Sequence, residues 1–360
     1  MRLEKIQAYN YRKLAQVEVE FSPRLTLIEG DNAAGKTTLL EAIKTLSGST
    51  REARASAERL GDGDVRWRLS GWIRQIGPTP TRCLRVSGDR FEMERTLDQR
   101  IATAAETAKT LPLLSVDQGA DALVAAGPAH RRRYLDWLLF HVEPGFLDCW
   151  RRYRRALAQR NSALAAGGRH GQAMIEALEH ELAVSGEMIA RLRRQHFEAA
   201  YEELLATLKV LVGGGEWRVE LSDGWNTDEP LAEALRRQRE VDKKIGRTQL
   251  GPHRGDLKFA RDGHDARRRL SGGEEKLTAT ALRLHQARRL LILRGVSPLL
   301  LIDDFSAELA AAAQSRLAAA LSDYDGQVVI TELAGGSSAL PALSPRRFHV
   351  EHGRLQRMVE

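Results

Sequence analysis

The sequence predicts an α/β fold interrupted by a helical insertion, and three observations carry that reading. Short, mainly apolar runs that read as buried strands occur near both ends: "RLTLIEG" closing at Gly30, "PLLLIDD" closing at Asp303 and Asp304, and "GQVVITE". Such runs suit strands of a sheet covered on both faces. Between residues 129 and 210 the apolar spacing changes to three and four, the mark of amphipathic helices. Finally, Gly30-Asp31-Asn32-Ala33-Ala34-Gly35-Lys36-Thr37 stands between a strand and the helix-forming "TTLLEAIKTL", the setting this glycine-rich spacing needs to act as a phosphate cradle.

The elements follow in order. Residues 2–21 alternate apolar and polar in "LEKIQAYNY" and "AQVEVEF", as in a half-buried hairpin. The strand "RLTLIEG" and its helix come next, then further strand-like pieces with turn signals at Gly61–Gly63 and Gly77–Pro80. From Ala129 to Val210 the pattern is helical, broken at Pro144–Gly145 and Ala166–Gly168, which predicts an antiparallel helical hairpin. A charged helix spans about Leu231 to Lys244, and the alanine-rich stretch Ala307–Leu321 is a good helix former. The predicted domains are a discontinuous one, 1–127 with 245–360, and a helical arm, 128–244.

Composition sets outer bounds. A chain of 360 residues suggests roughly two domains at about 150 residues each. Hydrophobic residues make up 42% and charged residues 29%, enough apolar side chain for a packed core. No apolar run has the length of a membrane helix, the amino terminus is charged too early for a secretory leader, and Cys83 and Cys149 have no metal-ligand spacing. A soluble protein of a reducing compartment is expected. The net charge of +7 favours a polyanionic partner, though weakly. Eight arginines between Arg131 and Arg160, against Asp136, Glu143 and Asp148, concentrate that charge. Such a run reads equally as a solvated helix face. Arg131, Arg132, Arg151 and Arg155 are the candidates for a partner's phosphates, and Arg131–Arg133 also read as structural residues at the junction of the two domains.

The chemistry begins at residues 30–37. Glycines let backbone N–H groups wrap an anion, and the helix that follows adds the positive end of its dipole. Lys36 is expected at the β and γ phosphates of a nucleotide, Thr37 on Mg²⁺, and Thr38 beside them. Asp303 and Asp304 end an apolar strand: two carboxylates there suit holding Mg²⁺ (Asp303) and polarising a water (Asp304). Taken alone, the pair also reads as acids capping the next helix. "LSGGE" places Ser271, Gly272, Gly273 and Glu274 at the mouth of a helix, where a serine N-cap is one reading and an anion seat the other.

"LSGGE" resembles the signature motif of the ABC-type ATPases, and its order after the glycine-rich loop and before the paired acids strengthens the likeness. "YNYRKL", "GDNAAGKTTLLEAI", "GPAHRRRYLDWLL", "LAQRNSAL" and "GPHRGDL" are similar to segments of the RecF family of bacterial gap-repair proteins. The resemblance covers nearly the whole chain. It implies an ABC-type P-loop ATPase head with an inserted helical arm, cytoplasmic and nucleoid-associated, that binds ATP and Mg²⁺, hydrolyses slowly, and pairs with a second copy. It further implies partners in double-stranded DNA and single-strand/double-strand junctions, with Arg131, Arg132, Arg151 and Arg155 the candidates for DNA phosphate, in RecR and RecO, and indirectly in RecA. On this likeness the cis nucleotide set is Gly30 to Thr38 with Asp303 and Asp304, and Ser271 to Glu274 act in trans. Arg12 is expected near phosphates or DNA, Gln118 in the loop that senses the γ-phosphate, and Thr331 where transporters carry a switch histidine.

Three departures stand out. Ala310 occupies the place of an aspartate that helps couple two subunits, Gly272 the place of a common arginine, and Asp304 that of a transporter's glutamate. Pairing and hydrolysis rate are where these would tell. The span from Lys36 to Asp303 excludes the long coiled-coil arms of chromosome-maintenance relatives, and a transporter subunit would lack "GPHRGDL". A nucleotide-gated clamp with negligible hydrolysis, or another short-armed ATPase of DNA repair, is the alternative.

Overall fold

The computed structural model describes residues 1–49, 66–75, 77–89, 92–117, 123–166, 169–336, 339–340 and 343–358. The chain divides into two compact units, residues 1–121 with 272–360, and residues 122–271. The turn signal at Gly61–Gly63 lies outside the described residues.

The first unit opens with the hairpin of β1 (Arg2–Tyr11) and β2 (Leu14–Glu20), in which Tyr11 faces Leu14 and Arg12 takes a left-handed φ of 54° at the turn. β3 (Leu25–Glu29), buried at every position, leads through residues 30–35 into α1 (Lys36–Leu46). β4 (Trp67–Arg74), β5 (Arg82–Gly88), β6 (Met93–Leu97) and β7 (Arg100–Ile101) extend the hairpin into an antiparallel sheet of order β2-β1-β4-β5-β6-β7. α2 (Ala104–Thr110) starts with a capping box, the Thr103 hydroxyl accepting from the Glu106 N–H while the Glu106 carboxylate accepts from the Thr103 N–H. β8 (Leu113–Val116) follows.

The second unit holds α3 (Pro128–Val142), α4 (Phe146–Ala166), α5 (Arg169–Glu198), α6 (Tyr201–Val212) and α7 (Leu231–Ile245). Cys149 of α4 meets Ser185 of α5 while Arg160 meets Glu179, so the two run antiparallel. Leu139, Phe146, Tyr153, Leu182, Ile189, Leu231 and Leu235 form one buried cluster. Two expectations are corrected here. The helix read as continuous through Ala199 breaks: Ala200 bonds back to Phe197 at φ −127° and α6 restarts at Tyr201, with no glycine or proline to announce it. Residues 245–271, assigned to the discontinuous domain, belong to this unit, because β10 (Asp256–Arg261) pairs along its length with β9 (Trp217–Ser222) and also with β11 (His264–Asp265).

The chain returns to the first unit with α8 (Gly272–Arg294), β12 (Leu299–Ile302), α9 (Ala311–Ser322), β13 (Val328–Glu332), β14 (Arg346–Glu351) and β15 (Arg354–Arg357). A second sheet has the order β15-β14-β3-β13-β12-β8, parallel except for β15. Leu39, Leu40, Ile43 and Leu46 of α1 join Leu3, Ile6, Trp67 and Leu69 from the antiparallel sheet and Leu301 and Val329 from the parallel one in a single buried cluster. Truncating one such leucine to alanine costs about 2–5 kcal/mol. The packing of α1 thereby fixes where its amino end points. Residues 30, 117, 303 and 331–332 all lie at the carboxyl ends of the parallel strands, the edge where open α/β sheets bind ligands.

Candidate nucleotide site

The loop from Gly30 to Gly35 is braced by three neighbours. The Gly30 N–H donates to the Glu332 carbonyl at 3.3 Å, the Gly353 N–H to the Ala34 carbonyl at 2.8 Å, and Lys13 Nζ to the Ala33 carbonyl at 2.7 Å. A Cβ on Gly30 would fall 2.4 Å from the Val350 carbonyl oxygen, and Gly35 sits at φ 122°, so both positions require glycine. Asp31, Asn32 and Ala33 form the exposed crest, while Thr38 is buried at the base. α1 begins without a side-chain cap or an acid in its first turn, which leaves its first N–H groups and its dipole to an anion. Lys36 is 6% exposed, and its ammonium donates to the carbonyls of Gly30 (2.8 Å) and Asp31 (3.0 Å), so the charge is held within the loop.

The paired acids stand against this loop. The Thr37 hydroxyl donates to Asp303 Oδ2 at 3.0 Å, and the Thr331 hydroxyl to Asp303 Oδ1. Burial pushes the Asp303 carboxyl above its ordinary range; the bonds from Thr331 and Thr37 oppose that shift, and the charges of Asp304 and Asp117 add to it. Asp304 takes a left-handed φ of 46°, its N–H donates to Thr331 Oγ1 at 2.8 Å, and its Oδ1 is buried without a hydrogen-bond partner among the described residues. Asp117, at the end of β8, pairs with Lys44 of α1 and accepts from the Ser115 hydroxyl at 3.2 Å. Gln118 lies outside the described residues. Arg12, expected at phosphates or DNA, pairs with Glu41 of α1.

Gly272 opens α8, with Ser271 exposed just before it and Glu274 in the first turn. The glycines answer a need inside the chain as well: a Cβ on Gly273 would lie 2.4 Å from the Glu308 carbonyl oxygen, and one on Gly272 2.8 Å from a Glu308 carboxylate oxygen. One turn further on, Lys276 donates to the carbonyls of Asp304 and Ala307. Burial draws its ammonium below the usual lysine range, against the raising effect of Asp304, Glu308, Glu332 and Asp303. Sequence reasoning passed over Lys276, Asp117 and Glu332. Only the first had a local signal, a lysine four residues after Gly272 on the same helix face.

The arginine candidates separate. Arg131 is 1% exposed and makes two bonds to the Asp256 carboxylate (2.8 and 2.9 Å) and two to the Val124 and Ala126 carbonyls, so it is a structural residue and leaves the DNA set. Arg132 is half-buried and donates to the Gly255 carbonyl. Arg151 is exposed in a loose pair with Asp148 at 3.4 Å, and Arg155 is exposed with no partner among the described residues.

Residues 5–101 match the family model described as an AAA domain. The DNA replication and repair protein RecF of Stenotrophomonas maltophilia (strain R551-3) is 35% identical, with 99% of each chain covered, and that of Nitrosococcus oceani is 31% identical over the full length of both. A solved structure of the recombination mediator protein RecF-ATP in the RecFOR pathway superposes with a TM-score of 0.83 at 24% identity, covering 99% of this chain and 97% of that one. An SMC head bound to the C-winged helix domain of ScpA shares the fold at a TM-score of 0.65 and 17% identity, covering 99% and 97%. With such identity sustained from end to end, the chain belongs to the RecF family of DNA replication and repair proteins.

Proposed function

We propose that this protein is an ATP-dependent DNA-binding protein of recombinational gap repair, in which bound ATP pairs two copies and slow hydrolysis releases them. The observation that carries the reading is the 3.0 Å bond from Thr37 to Asp303, which joins the phosphate loop to the paired acids across 266 residues of chain. The names of its relatives and the RecF-ATP structure of the RecFOR pathway support it. RecR and RecO follow as partners from that pathway name, RecA placement from the family resemblance.

The residues present fit Mg²⁺. It binds through one or two protein oxygens alongside phosphate oxygens and water, and Thr37 Oγ1 and Asp303 Oδ2 already share one spot, with Asp304 Oδ1, which has no hydrogen-bond partner among the described residues, on the adjoining residue. When bound, Mg²⁺ offsets the charge on the β and γ phosphates. Lys36 and the N–H groups of the α1 amino end hold the phosphates, and Asp304 orients the attacking water and accepts its proton. Ser271, Gly272, Gly273 and Glu274 meet the nucleotide of a second copy. With Ala310 in place of an aspartate, slow turnover is expected. Duplex DNA binds through phosphate contacts, with steep salt dependence and little sequence preference.

Light scattering without nucleotide, with ADP and with ATP–Mg²⁺, on wild type and Asp304→Asn, tests the pairing. A molar mass that doubles only with ATP, and persists longer in the variant, is the expected result. An unchanged mass in both proteins overturns nucleotide-gated pairing.

A further inference from the structure

Thr331 holds three consecutive residues of the acid-bearing turn. Its hydroxyl donates to Asp303 Oδ1, the same oxygen atom accepts from the Asp304 N–H at 2.8 Å, and its carbonyl accepts from the Phe305 N–H at 3.0 Å. The side chain is 0% exposed, so no water stands ready to replace it. The next residue, Glu332, completes the clamp: its carboxylate accepts from both the N–H and the hydroxyl of Ser306, each at 2.8 Å. The parallel register that sets Ile330 beside Ile302 is what brings these side chains to the turn.

We infer that Thr331 is a positioning residue for metal-dependent nucleotide binding: its hydroxyl sets the Asp303 carboxylate in register with Thr37 and holds the Asp304 backbone in its left-handed conformation. The inference rests on the nucleotide-site reading above. Two oxygens of Asp303 are fixed by two hydroxyls, Thr37 on one and Thr331 on the other, so the carboxylate has one orientation. A left-handed φ costs a residue other than glycine some strain, less for aspartate than for most, and a hydrogen bond from its own N–H helps to hold it. For Asp304 at φ 46° that bond is the one its N–H makes to Thr331. The chain thus uses the switch-histidine position for a buried hydroxyl that serves the acids. The proposal separates two effects. Phosphate binding by the loop and Lys36 does not depend on Thr331, whereas the response to Mg²⁺ does.

The test uses full-length protein, a fluorescent ATP analogue, and titrations in EDTA and across Mg²⁺ concentrations. Thr331→Val keeps the branched shape without the hydroxyl, and the Phe305 and Ser306 bonds stay available to hold the turn; Thr331→Ser keeps the hydroxyl. Thr331→Val is expected to need about tenfold more Mg²⁺ for half-maximal binding, the scale of one lost hydrogen bond to a charged group. Its metal-free binding stays within about twofold of wild type, and Thr331→Ser restores the Mg²⁺ requirement. A wild-type Mg²⁺ requirement in Thr331→Val overturns the inference. So does a matching loss of metal-free binding, which would mark a general structural role. Wild-type protein whose nucleotide binding ignores Mg²⁺ would sink the site reading itself, and this inference with it.

Discussion

The carbonyl oxygen of Glu308 stands 2.4 Å from where a Cβ on Gly273 would lie, and Glu308 itself takes a left-handed φ of 66°. The glycine and the strained residue are therefore matched across one contact. Gly273→Ala must displace backbone and is expected to cost about 1–3 kcal/mol. Gly272→Ala meets only the end of the flexible Glu308 side chain, at 2.8 Å, and should cost less than about 1 kcal/mol. Urea unfolding of both variants checks the order. Equal effects would mean that the Glu308 turn yields as easily as a side chain.

What the sequence revealed, and what it hid, follows from how far apart the interacting residues lie. The loop 30–37 was legible because its strand, glycines and helix are contiguous, and the strands ending at Ile302 and Glu332 because each opens on an uninterrupted apolar run, Leu299–Ile302 and Val328–Ile330. The partners of those residues were not. Nothing local says that Arg131 finds Asp256, or that Thr331 reaches back to Asp303. The second unit's border was misplaced for the same reason, since β10 pairs with β9 across an intervening helix. The break at Ala199–Ala200 carries no glycine or proline, so helix propensity ran straight through it.

Lys36→Met removes the charge that the Gly30 and Asp31 carbonyls hold in the loop. Nucleotide affinity should fall by about a hundredfold or more, the scale of losing charge-assisted bonds to two phosphates. Equilibrium binding of a fluorescent ATP analogue measures it, and wild-type affinity in the variant would show that residues 30–37 are not the phosphate site.

Ser271→Arg separates the two halves of the nucleotide reading. Ser271 is exposed and precedes α8, so a larger side chain there need not disturb the fold. Nucleotide binding by the variant should match wild type while the ATP-dependent doubling of mass disappears. Doubling that survives the substitution would remove the signature from the pairing surface.

Arg131 and Arg155 make opposite predictions although both come from one arginine-rich window. Arg131→Met strands the Asp256 carboxylate that the guanidinium satisfied, and should cost about 3–5 kcal/mol. Arg155 is exposed and has no partner among the described residues, so Arg155→Ala should leave stability within about 0.5 kcal/mol. If it touches DNA phosphate, duplex affinity falls uniformly across sequences and the slope of log affinity against log salt shrinks by about one. Denaturant unfolding and DNA titrations at several salt concentrations decide each. Stable Arg131→Met protein would contradict the structural role given to that residue.

His253 sets a pH limit on the second unit. Its Nε2 faces the Thr248 carbonyl at 3.1 Å, and an oxygen that only accepts requires the proton on Nε2. Nδ1 then accepts from the Tyr153 hydroxyl at 2.6 Å, which fixes the neutral tautomer. Burial draws the imidazole down to about 4 from 6.5, opposed by the Thr248 bond and assisted by the charges of Arg254, Arg132 and Arg160. Because the folded value is the lower one, the unfolded chain takes up the proton first as pH falls. The contribution is complete above 6.5 and is lost between 6.5 and about 4, at about 1.4 kcal/mol for each pH unit. Unfolding free energies of wild type and His253→Gln from pH 8 to 4 isolate this effect, since other titrating groups cancel in the difference. The gap between the two proteins should narrow steadily below pH 6.5. A gap that stays constant with pH would mean that His253 takes up its proton at the same pH in the folded and unfolded chains, so that burial does not hold it neutral; a gap that widens as pH falls would mean that the folded chain favours the imidazolium.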